Sequence, residues 1–133
     1  MAEPVRGLLD TSVVVDYDIV DFTRLPDESA ITAITLAELA AGPHATKDDG
    51  ERARRQDRLQ WAAATWDPLP FDGEAARAYG QVYVATKVSG KSPRTRLADL
   101  LIASVALANG LDLYTRNAGD FSHLDQLVRV VTV

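Results

Sequence analysis

Four acidic residues stand alone at widely spaced points of the chain, each beside a small hydroxyl or amide residue at the end of an apolar run. They are Asp10, Glu38, Asp99 and Asp120. Carboxylates that converge on one cleft must bind a hard cation or stay partly protonated. A divalent cation held by carboxylates lowers the pKa of a bound water and supports hydrolysis of a phosphodiester bond. The chemistry to test is therefore metal-dependent cleavage of phosphodiesters.

Predicted strands and helices alternate along the chain in a way that could bring these acids together. Strands are predicted over 5–9, 29–34, 68–71, 111–115 and 128–133. Helices are predicted over 11–15, 35–41, 47–66 and 97–108, with a further one after Asp72. This alternation is typical of a single three-layer α/β domain with a mostly parallel sheet, here spanning residues 1–133.

The carboxyl ends of the strands are the usual ligand-binding edge of such a sheet. Asp10 and Thr115 each fall at the end of a predicted strand. Glu38 and Asp99 fall in the first turns of predicted helices that leave the same edge. The pattern therefore predicts that these acids lie around one cleft.

Three of the acids have an ordinary interpretation as helix caps. Asp10 could cap the helix after it, because aspartate is a favoured N-cap residue. Thr35 and Glu38 match a capping box, in which two side chains satisfy each other's exposed backbone N–H groups. Asp120 follows Asn117 by three residues and could form another capping pair. All of these interpretations would have to hold together by coincidence for the acids not to share a site.

The ordinary interpretation of Asp99, as a first-turn acid that complements the helix dipole, is the weakest. Residues 97–108 are apolar on nearly every side, which predicts a buried helix with Asp99 and Ser104 as its polar members. Burying an uncompensated carboxylate destabilises the folded state by roughly several kcal/mol, whereas a favourable interaction with the helix dipole stabilises it by about 1 kcal/mol. Asp99 therefore needs a cation, which could be Arg96 or a metal ion shared with Asp10.

The composition excludes several other kinds of site. The 133 residues include no cysteine, which excludes disulfides, thiolate zinc sites and a cysteine nucleophile. Neither His44 nor His123 has a second ligand at helical spacing, so a metal would have to be bound by oxygen. A net charge of −5 argues against a sequence-reading DNA-binding protein. The sequence shows no signal-peptide core and no apolar run of the roughly 20 residues of a membrane helix, so a cytoplasmic protein without membrane contact is predicted.

Four short motifs, in their order along the chain, resemble those of the PIN-domain ribonucleases. They are Asp10-Thr11-Ser12, Thr35-x-x-Glu38, Ala98-Asp99-Leu100-Leu101-Ile102-Ala103 and Thr115-Arg116-Asn117-x-x-Asp120-Phe121. The match runs from Leu8 to Phe121 and, more narrowly, resembles the VapC toxins of bacterial toxin–antitoxin pairs. The resemblance implies a PIN-like parallel sheet flanked by helices, an acidic pocket that holds Mg²⁺ or Mn²⁺, and endonucleolytic cleavage of RNA.

The same resemblance implies roles for the residues that match the family's motifs. The acids most directly tied to the metal are Asp10 and Asp99. The acids that complete the pocket are Glu38 and Asp120, so all four acids are predicted to be catalytic and metal-binding residues. The polar supporting positions are Ser12, Thr115 and Asn117. Asn117 stands where many PIN sequences have a further acid, which leaves a second metal site open. The resemblance also implies a cognate VapB-type antitoxin that blocks the pocket, and self-association as a homodimer.

Basic residues give an RNA substrate a way to approach this acidic protein. The stretch 87–96 has no acid and leads directly into the Asp99 helix; its basic residues are Lys87, Lys91, Arg94 and Arg96. We expect it to contact the RNA backbone beside the scissile phosphate, with Arg116 as a second contact; the alternative is a solvated loop. Residues 47–66 are predicted to contact a partner protein or, as an alternative, to form an ordinary amphipathic helix.

Two other enzyme classes fit the sequence less well. A haloacid-dehalogenase-like phosphatase needs a second aspartate two residues after the first, where this chain has Ser12. A response-regulator receiver domain needs paired acids after the first strand and a late Lys-Pro pair, and neither is in place. The alternative from another class is a catalytically silent PIN-like module that binds RNA or protein without cutting.

Overall fold

A computed structural model describes residues 2–133 of the chain. The strands found there are β1 (Arg6–Leu9), β2 (Glu28–Ala30), β3 (Asp112–Thr115) and β4 (Val130–Thr132). The α-helices are α1 (Thr11–Val15), α2 (Ala33–Ala41), α3 (Asp49–Thr65), α4 (Gly73–Val88) and α5 (Leu97–Asn109). The strands form one sheet in the order β2-β1-β3-β4, and every pair is parallel. Among the described helices, none combines the length and apolarity that crossing a membrane requires.

Different helices cover the two faces of the sheet, because successive strand residues point to opposite sides. Leu8 and Leu113 pack on one face in a core cluster with residues of α4 and α5. Leu9 and Tyr114 pack on the other face with residues of α1, α2 and α3. The predicted α/β architecture of one sheet between two helical layers is confirmed.

Strands β1 and β3 lie in the centre of the sheet and end at the same edge. Their register pairs Leu8 with Leu113 and Leu9 with Tyr114. The N–H group of Asp10 continues the ladder by donating to the carbonyl oxygen of Tyr114 at 2.8 Å. The residues that follow the two strands, Asp10 and Thr115, are therefore neighbours, although they are distant along the chain.

Gly7 in β1 is a position of close packing. A Cβ atom at this position would overlap the ring of Tyr114 and come within 3.0 Å of Pro26. Both of those side chains are buried, so neither can swing into solvent to make room. The absence of a side chain at residue 7 is therefore what lets the Tyr114 ring lie against the central strand.

The strand predicted over 68–71 is reduced to a single bridge between Leu69 and Thr32. The N–H group of Leu69 donates to the carbonyl of Ile31 at 2.9 Å, and its carbonyl accepts from Ala33 at 2.8 Å. The residue on each side of Leu69 is a proline, which has no N–H group to extend the ladder. The prediction of a full strand here was wrong for this reason.

The charged helix α3 is bound to its neighbours by arginine side chains. Arg58 donates to the carbonyl of Val14 near the end of α1 at 3.1 Å, and Arg55 donates to that of Gly42 just after α2 at 2.9 Å. Arg52 reaches two further carbonyls in the turn after α2. Carbonyl groups at helix C-termini lack partners within the helix, so these arginines satisfy them. Much of the positive charge of segment 47–66 is thus directed at the protein's own backbone.

Candidate functional site

Asp10 is held in one orientation by hydroxyl groups. It occupies the N-cap position of α1, but its side chain does not cap the helix. Instead its Oδ2 atom accepts hydrogen bonds from Ser12 Oγ at 2.8 Å and Thr115 Oγ1 at 2.9 Å. Those two oxygens accept the backbone N–H groups of Arg116 at 3.1 Å and Asn117 at 3.0 Å respectively. The hydroxyls are therefore themselves oriented, and they fix the Oδ2 side of the carboxylate of Asp10, a residue that is only 4% exposed.

Glu38 is also held by a hydroxyl, and it is not part of a capping box. Helix α2 begins at Ala33, earlier than predicted, so Glu38 lies in its second turn and not in the first. Thr32 caps the helix by accepting the N–H group of Thr35 at 3.0 Å. Glu38 Oε1 accepts a hydrogen bond from Thr11 Oγ1 at 2.7 Å, and Thr35 Oγ1 lies 2.9 Å from the same hydroxyl. The capping interpretation of Glu38 is therefore wrong.

Thr11 was not assigned to the site from the sequence, although it holds one of the acids. Its hydroxyl proton goes to Glu38, so Thr35 must be the donor in the bond that joins the two threonines. The feature of the sequence that could have indicated a hydroxyl cluster is the spacing of Thr32 and Thr35, which places two hydroxyls on one side of the helix start. That spacing alone could not reveal a partner more than twenty positions away.

Asp99 lies in the first turn of α5, as predicted, and it is the carboxylate with the most perturbed pKa. Burial, and after it the neighbouring carboxylates of Asp10, Asp120 and Glu38, raise the pKa of Asp99 to about 6. The Arg96 guanidinium opposes this rise. No hydrogen bond to the Asp99 carboxylate is found among residues 2–133. Asp99 is therefore within electrostatic range of the other three acids.

Asp120 lies in a short 3₁₀ turn, Ala118–Asp120, that follows β3. Its Oδ1 atom is 3.7 Å from Nη1 of Arg96, and both side chains are partly exposed. Asn117 precedes the turn without making a side-chain cap, so the predicted capping pair is not formed. The side chain of Asn117 is exposed, and only its backbone N–H group joins the network around Asp10.

The pocket has the chemistry of a site for a hard cation. Within the part of the chain that the structure describes, no three acidic or histidine side chains are already arranged to enclose an ion. Mg²⁺, however, is usually held by one or two carboxylates and keeps several waters. Three nearby acids and one arginine act on the half-buried Asp99 carboxylate, and a divalent cation would reduce the remaining repulsion between the negative charges. Asp10 and Asp99 therefore fit such an ion.

Three of the basic residues predicted to contact RNA are engaged with the protein. Arg96 is paired with Asp120, as described. Lys91 Nζ donates to the carbonyl of Gly119 at 3.2 Å. Arg116 Nε lies 3.1 Å from Asp16 Oδ2. Each of these three cations would have to leave a partner within the protein before it could contact a phosphate.

The other two predicted phosphate contacts face outward. Lys87 Nζ lies 5.8 Å from the centre of the Tyr83 ring, where it is exposed. Arg94 is exposed and has no hydrogen bond or ion pair within the described residues. The stretch 87–96 thus has an inner pair of cations directed at the Asp120 turn and an outer pair directed at solvent.

A cleft of about 470 Å³ opens beside Glu38, between α1, α2 and α3. Its lining combines apolar and charged side chains, among them Val15, Leu39, Glu38, Arg55 and Arg58. Val15 is 43% exposed, so the cleft offers apolar surface directly next to an acid of the pocket. Helix α3, which lies in segment 47–66, forms one wall.

Comparison with known proteins gives one consistent result. Residues 7–127 match the family model of the PIN domain. The chain is 37% identical over 125 residues to Ribonuclease VapC5 of Mycobacterium tuberculosis, covering 92% of this chain and 90% of that protein. It is 36% identical over 123 residues to VapC ribonuclease Y4jK of Sinorhizobium fredii, covering 90% and 80%.

Solved structures agree with this match. The fold is similar to a chain of VapBC-5, a member of the VapBC family of toxin–antitoxin systems from Mycobacterium tuberculosis, with a TM-score of 0.84 and 35% identity over 98% of both chains. VapBC2 from Rickettsia felis, bound to a promoter DNA fragment, gives a TM-score of 0.75 at 23% identity, covering 96% of this chain and 98% of that one. The second likeness concerns the fold alone.

Proposed function

The chain belongs to the PIN domain family, and on this premise we propose that it is a divalent-metal-dependent endoribonuclease that acts as the toxin of a toxin–antitoxin pair. Two relatives above 35% identity are named ribonucleases, and the VapBC-5 structure belongs to a toxin–antitoxin family. The observation that carries the proposal is the half-buried Asp99 carboxylate, whose pKa is raised by burial and by the three nearby carboxylates of Asp10, Asp120 and Glu38. An RNA substrate is consistent with action in the cytoplasm.

The catalytic roles divide among the four acids. Asp10 and Asp99 would hold Mg²⁺ or Mn²⁺, which supplies a Lewis acid and a water of lowered pKa. Asp10 presents a carboxylate whose direction is fixed by two hydroxyls. Glu38 has one oxygen held by Thr11, and its other oxygen can orient the attacking water or accept its proton. Asp120 completes the negative field of the pocket.

RNA would approach along the stretch 87–96, which leads into α5. Lys87 and Arg94 are exposed and can contact phosphates without first breaking an ion pair. Arg116, which is joined to Asp16, lies nearer the acids and can contact the backbone beside the scissile phosphate. Binding through such contacts weakens as salt concentration rises.

A cognate VapB-type antitoxin would inhibit the enzyme by occupying the cleft beside Glu38. The cleft joins apolar surface at Val15 and Leu39 to an acid of the pocket. A segment of the antitoxin with an apolar residue next to a basic one matches both features. Helix α3 supplies one wall, which agrees with the expectation that segment 47–66 contacts a partner.

Self-association as a homodimer is proposed to use the outer face of α4. Val84 and Val88 on this face are 58% and 83% exposed, and they line an apolar surface with Leu127. Two copies of such a face bury each other's apolar area when related by a two-fold axis. Light scattering should show a dimer for the unaltered chain and a monomer for Val84→Asp.

The proposed activity is tested with purified protein, RNA and Mg²⁺ or Mn²⁺. We expect cleavage by the unaltered chain, and loss of at least about a thousand-fold in rate for Asp10→Ala and Asp99→Ala, because both would hold the ion. A chelator should abolish cleavage in the same way. Asp125→Asn is a matched control, because Asp125 is an exposed acid whose carboxylate has no ion pair among the described residues.

Two results would contradict the proposal. Cleavage that survives in both alanine variants would belong to a contaminant or to another site. RNA binding without any cleavage, over a range of divalent metals, would support a silent RNA-binding module instead. The observation that favours this second function is that no metal-enclosing group of acids is already formed within residues 2–133.

A further inference from the structure

Arg96 is paired with one acid of the pocket and acts electrostatically on another. It is the residue immediately before α5, three positions ahead of Asp99, and its side chain is 29% exposed. Its Nη1 atom is 3.7 Å from Asp120 Oδ1. It is also the cation that opposes the rise in the pKa of Asp99. One guanidinium group therefore serves two carboxylates that come from different parts of the chain.

The turn that carries Asp120 is held by a contact to the stretch 87–96, and the turn after it is held by a contact to α4. Lys91 Nζ donates to the carbonyl of Gly119 at 3.2 Å. Thr86, in the last turns of α4, lies 3.0 Å from Nε2 of His123 through its hydroxyl. These contacts lie on both sides of Asp120 along the chain. Asp120 therefore lies between two residues, Gly119 and His123, that are each held by a contact within the protein.

Arg94 shows that this arrangement is not a general property of the basic segment. It carries the same charge two positions earlier, yet it is exposed and unpaired within the described residues. A charge at Arg94 acts through solvent, where it is screened, whereas the Arg96 side chain is 29% exposed and is paired with Asp120. The two arginines thus provide a matched pair for experiment.

We propose that Arg96 is a positioning residue that acts as a built-in counter-charge of the pocket. It pairs with Asp120, so that Asp120 does not bind the metal ion, and it lowers the affinity of the pocket for a divalent cation. This inference rests on the proposed metal-dependent function and deepens it. It divides the acids into Asp10 and Asp99, which take the ion, and Asp120, which is kept by an arginine. Because a positive side chain repels a nearby cation, removing the Arg96 charge strengthens metal binding.

The first experiment measures Mn²⁺ binding by calorimetry, using the purified full chain without RNA. We expect Arg96→Gln to lower the dissociation constant about three- to ten-fold. Arg96→Lys keeps the charge and should bind like the unaltered chain, which a merely structural role of the guanidinium would not explain. Arg94→Gln loses the same charge in solvent and should leave the dissociation constant unchanged. Thermal unfolding without metal verifies that each variant is folded.

The second experiment is a double-mutant cycle with Asp120. Asp120→Asn alone should weaken Mn²⁺ binding, because it leaves the Arg96 charge uncompensated beside the ion. Combining it with Arg96→Gln removes both charges and should restore binding close to that of the unaltered chain. If the double variant stays as weak as Asp120→Asn, then Asp120 binds the ion directly and the inference is wrong.

The outcomes separate this inference from the function on which it rests. If the unaltered chain does not bind Mn²⁺ at all, the metal-dependent function fails and the role of Arg96 fails with it. If the unaltered chain binds Mn²⁺ but Arg96→Gln behaves like Arg94→Gln, only the role of Arg96 is overturned. Tighter binding by Arg96→Gln together with restoration in the double variant supports the inference.

Discussion

The acidic pocket has two halves that are held in different ways. In the hydroxyl-held half, Asp10 and Glu38 accept hydrogen bonds from Ser12, Thr115 and Thr11. In the charge-held half, Asp99 accepts no hydrogen bond from residues 2–133, and Asp120 has the Arg96 guanidinium at 3.7 Å. Hydrogen bonds to fixed hydroxyls set a direction, whereas ion pairs at the surface change with salt and pH. The first half is therefore preorganised, and the second half responds to its ionic surroundings.

The largest expected difference between the halves is in the stability of the metal-free protein. Asp10→Ala leaves the hydroxyls of Ser12 and Thr115 without their acceptor and should lower the free energy of unfolding by about 1–3 kcal/mol. The ionised Asp99 carboxylate is destabilised by burial and by repulsion from the nearby acids. Asp99→Ala removes it and should raise the free energy of unfolding by about 1 kcal/mol, a value reduced for the partial exposure of the side chain. Urea unfolding at pH 7.5 with a chelator measures both, and changes of the same sign would remove the distinction.

Within the hydroxyl-held half, Thr115 should make a measurable contribution. Thr115→Val removes the donor to Asp10 and leaves the Asn117 N–H group without its acceptor. We expect a loss of about 1–2 kcal/mol in the free energy of unfolding. Thr115→Ser keeps the hydroxyl and is the matched control. Equal stability of the two variants in urea would mean that the hydrogen bonds contribute nothing.

The charge-held half should make stability depend on pH. The pKa of Asp99 is raised from 3.8 to about 6, so between these values the folded chain holds a proton that the unfolded chain releases. The contribution of Asp99 to stability is present below about pH 4 and is lost as pH rises through about 6. Comparing Asp99→Asn with the unaltered chain from pH 4 to 7.5, without metal, should show a relative change of about 1 kcal/mol. Parallel stability curves would contradict it.

The smallest effect on stability is expected where the charges face solvent. Lys87→Gln and Arg94→Gln should leave the melting temperature unchanged, and each should reduce the salt dependence of RNA binding by about 0.7 in the logarithmic slope. Arg58→Gln provides the contrast, because its charge is bound to the Val14 carbonyl. It should lower stability and leave the salt slope unchanged. The reverse pattern would mean that α3, and not the stretch 87–96, contacts the RNA.

The layers of the fold and the edge of the site could be predicted because both depend on local patterns. The apolar run that ends at Asp10 and the apolar helix around Asp99 each mark a boundary that the structure reproduces within a few residues. Helix α5 ends at Gly110, whose left-handed backbone conformation glycine adopts without strain. The carboxyl ends of parallel strands lie at the same edge of a sheet, so the predicted strand ends were sufficient to make Asp10 and Thr115 neighbours.

Long-range partners could not be predicted from the sequence. The capping box expected at Thr35 and Glu38 failed because Thr32, three residues earlier, is an equally good cap and sits at the true start of α2. The backbone acceptor of Arg58 could not be predicted either, because the carbonyl of Val14 is 44 positions away in sequence. Counting charges does not distinguish an arginine that binds the backbone from one that is free.

Cells that express a toxic protein survive when a mutation inactivates its gene, and the codon for Gly7 is a site where such a mutation would act through the fold. Almost any replacement there would push the Tyr114 ring away from the central strand and misfold the chain without touching an acid. If the chain is a toxin, surviving colonies should carry inactivating changes at codon 7 as well as at codons 10 and 99. Sequencing the surviving colonies would identify the positions at which a substitution removes toxicity.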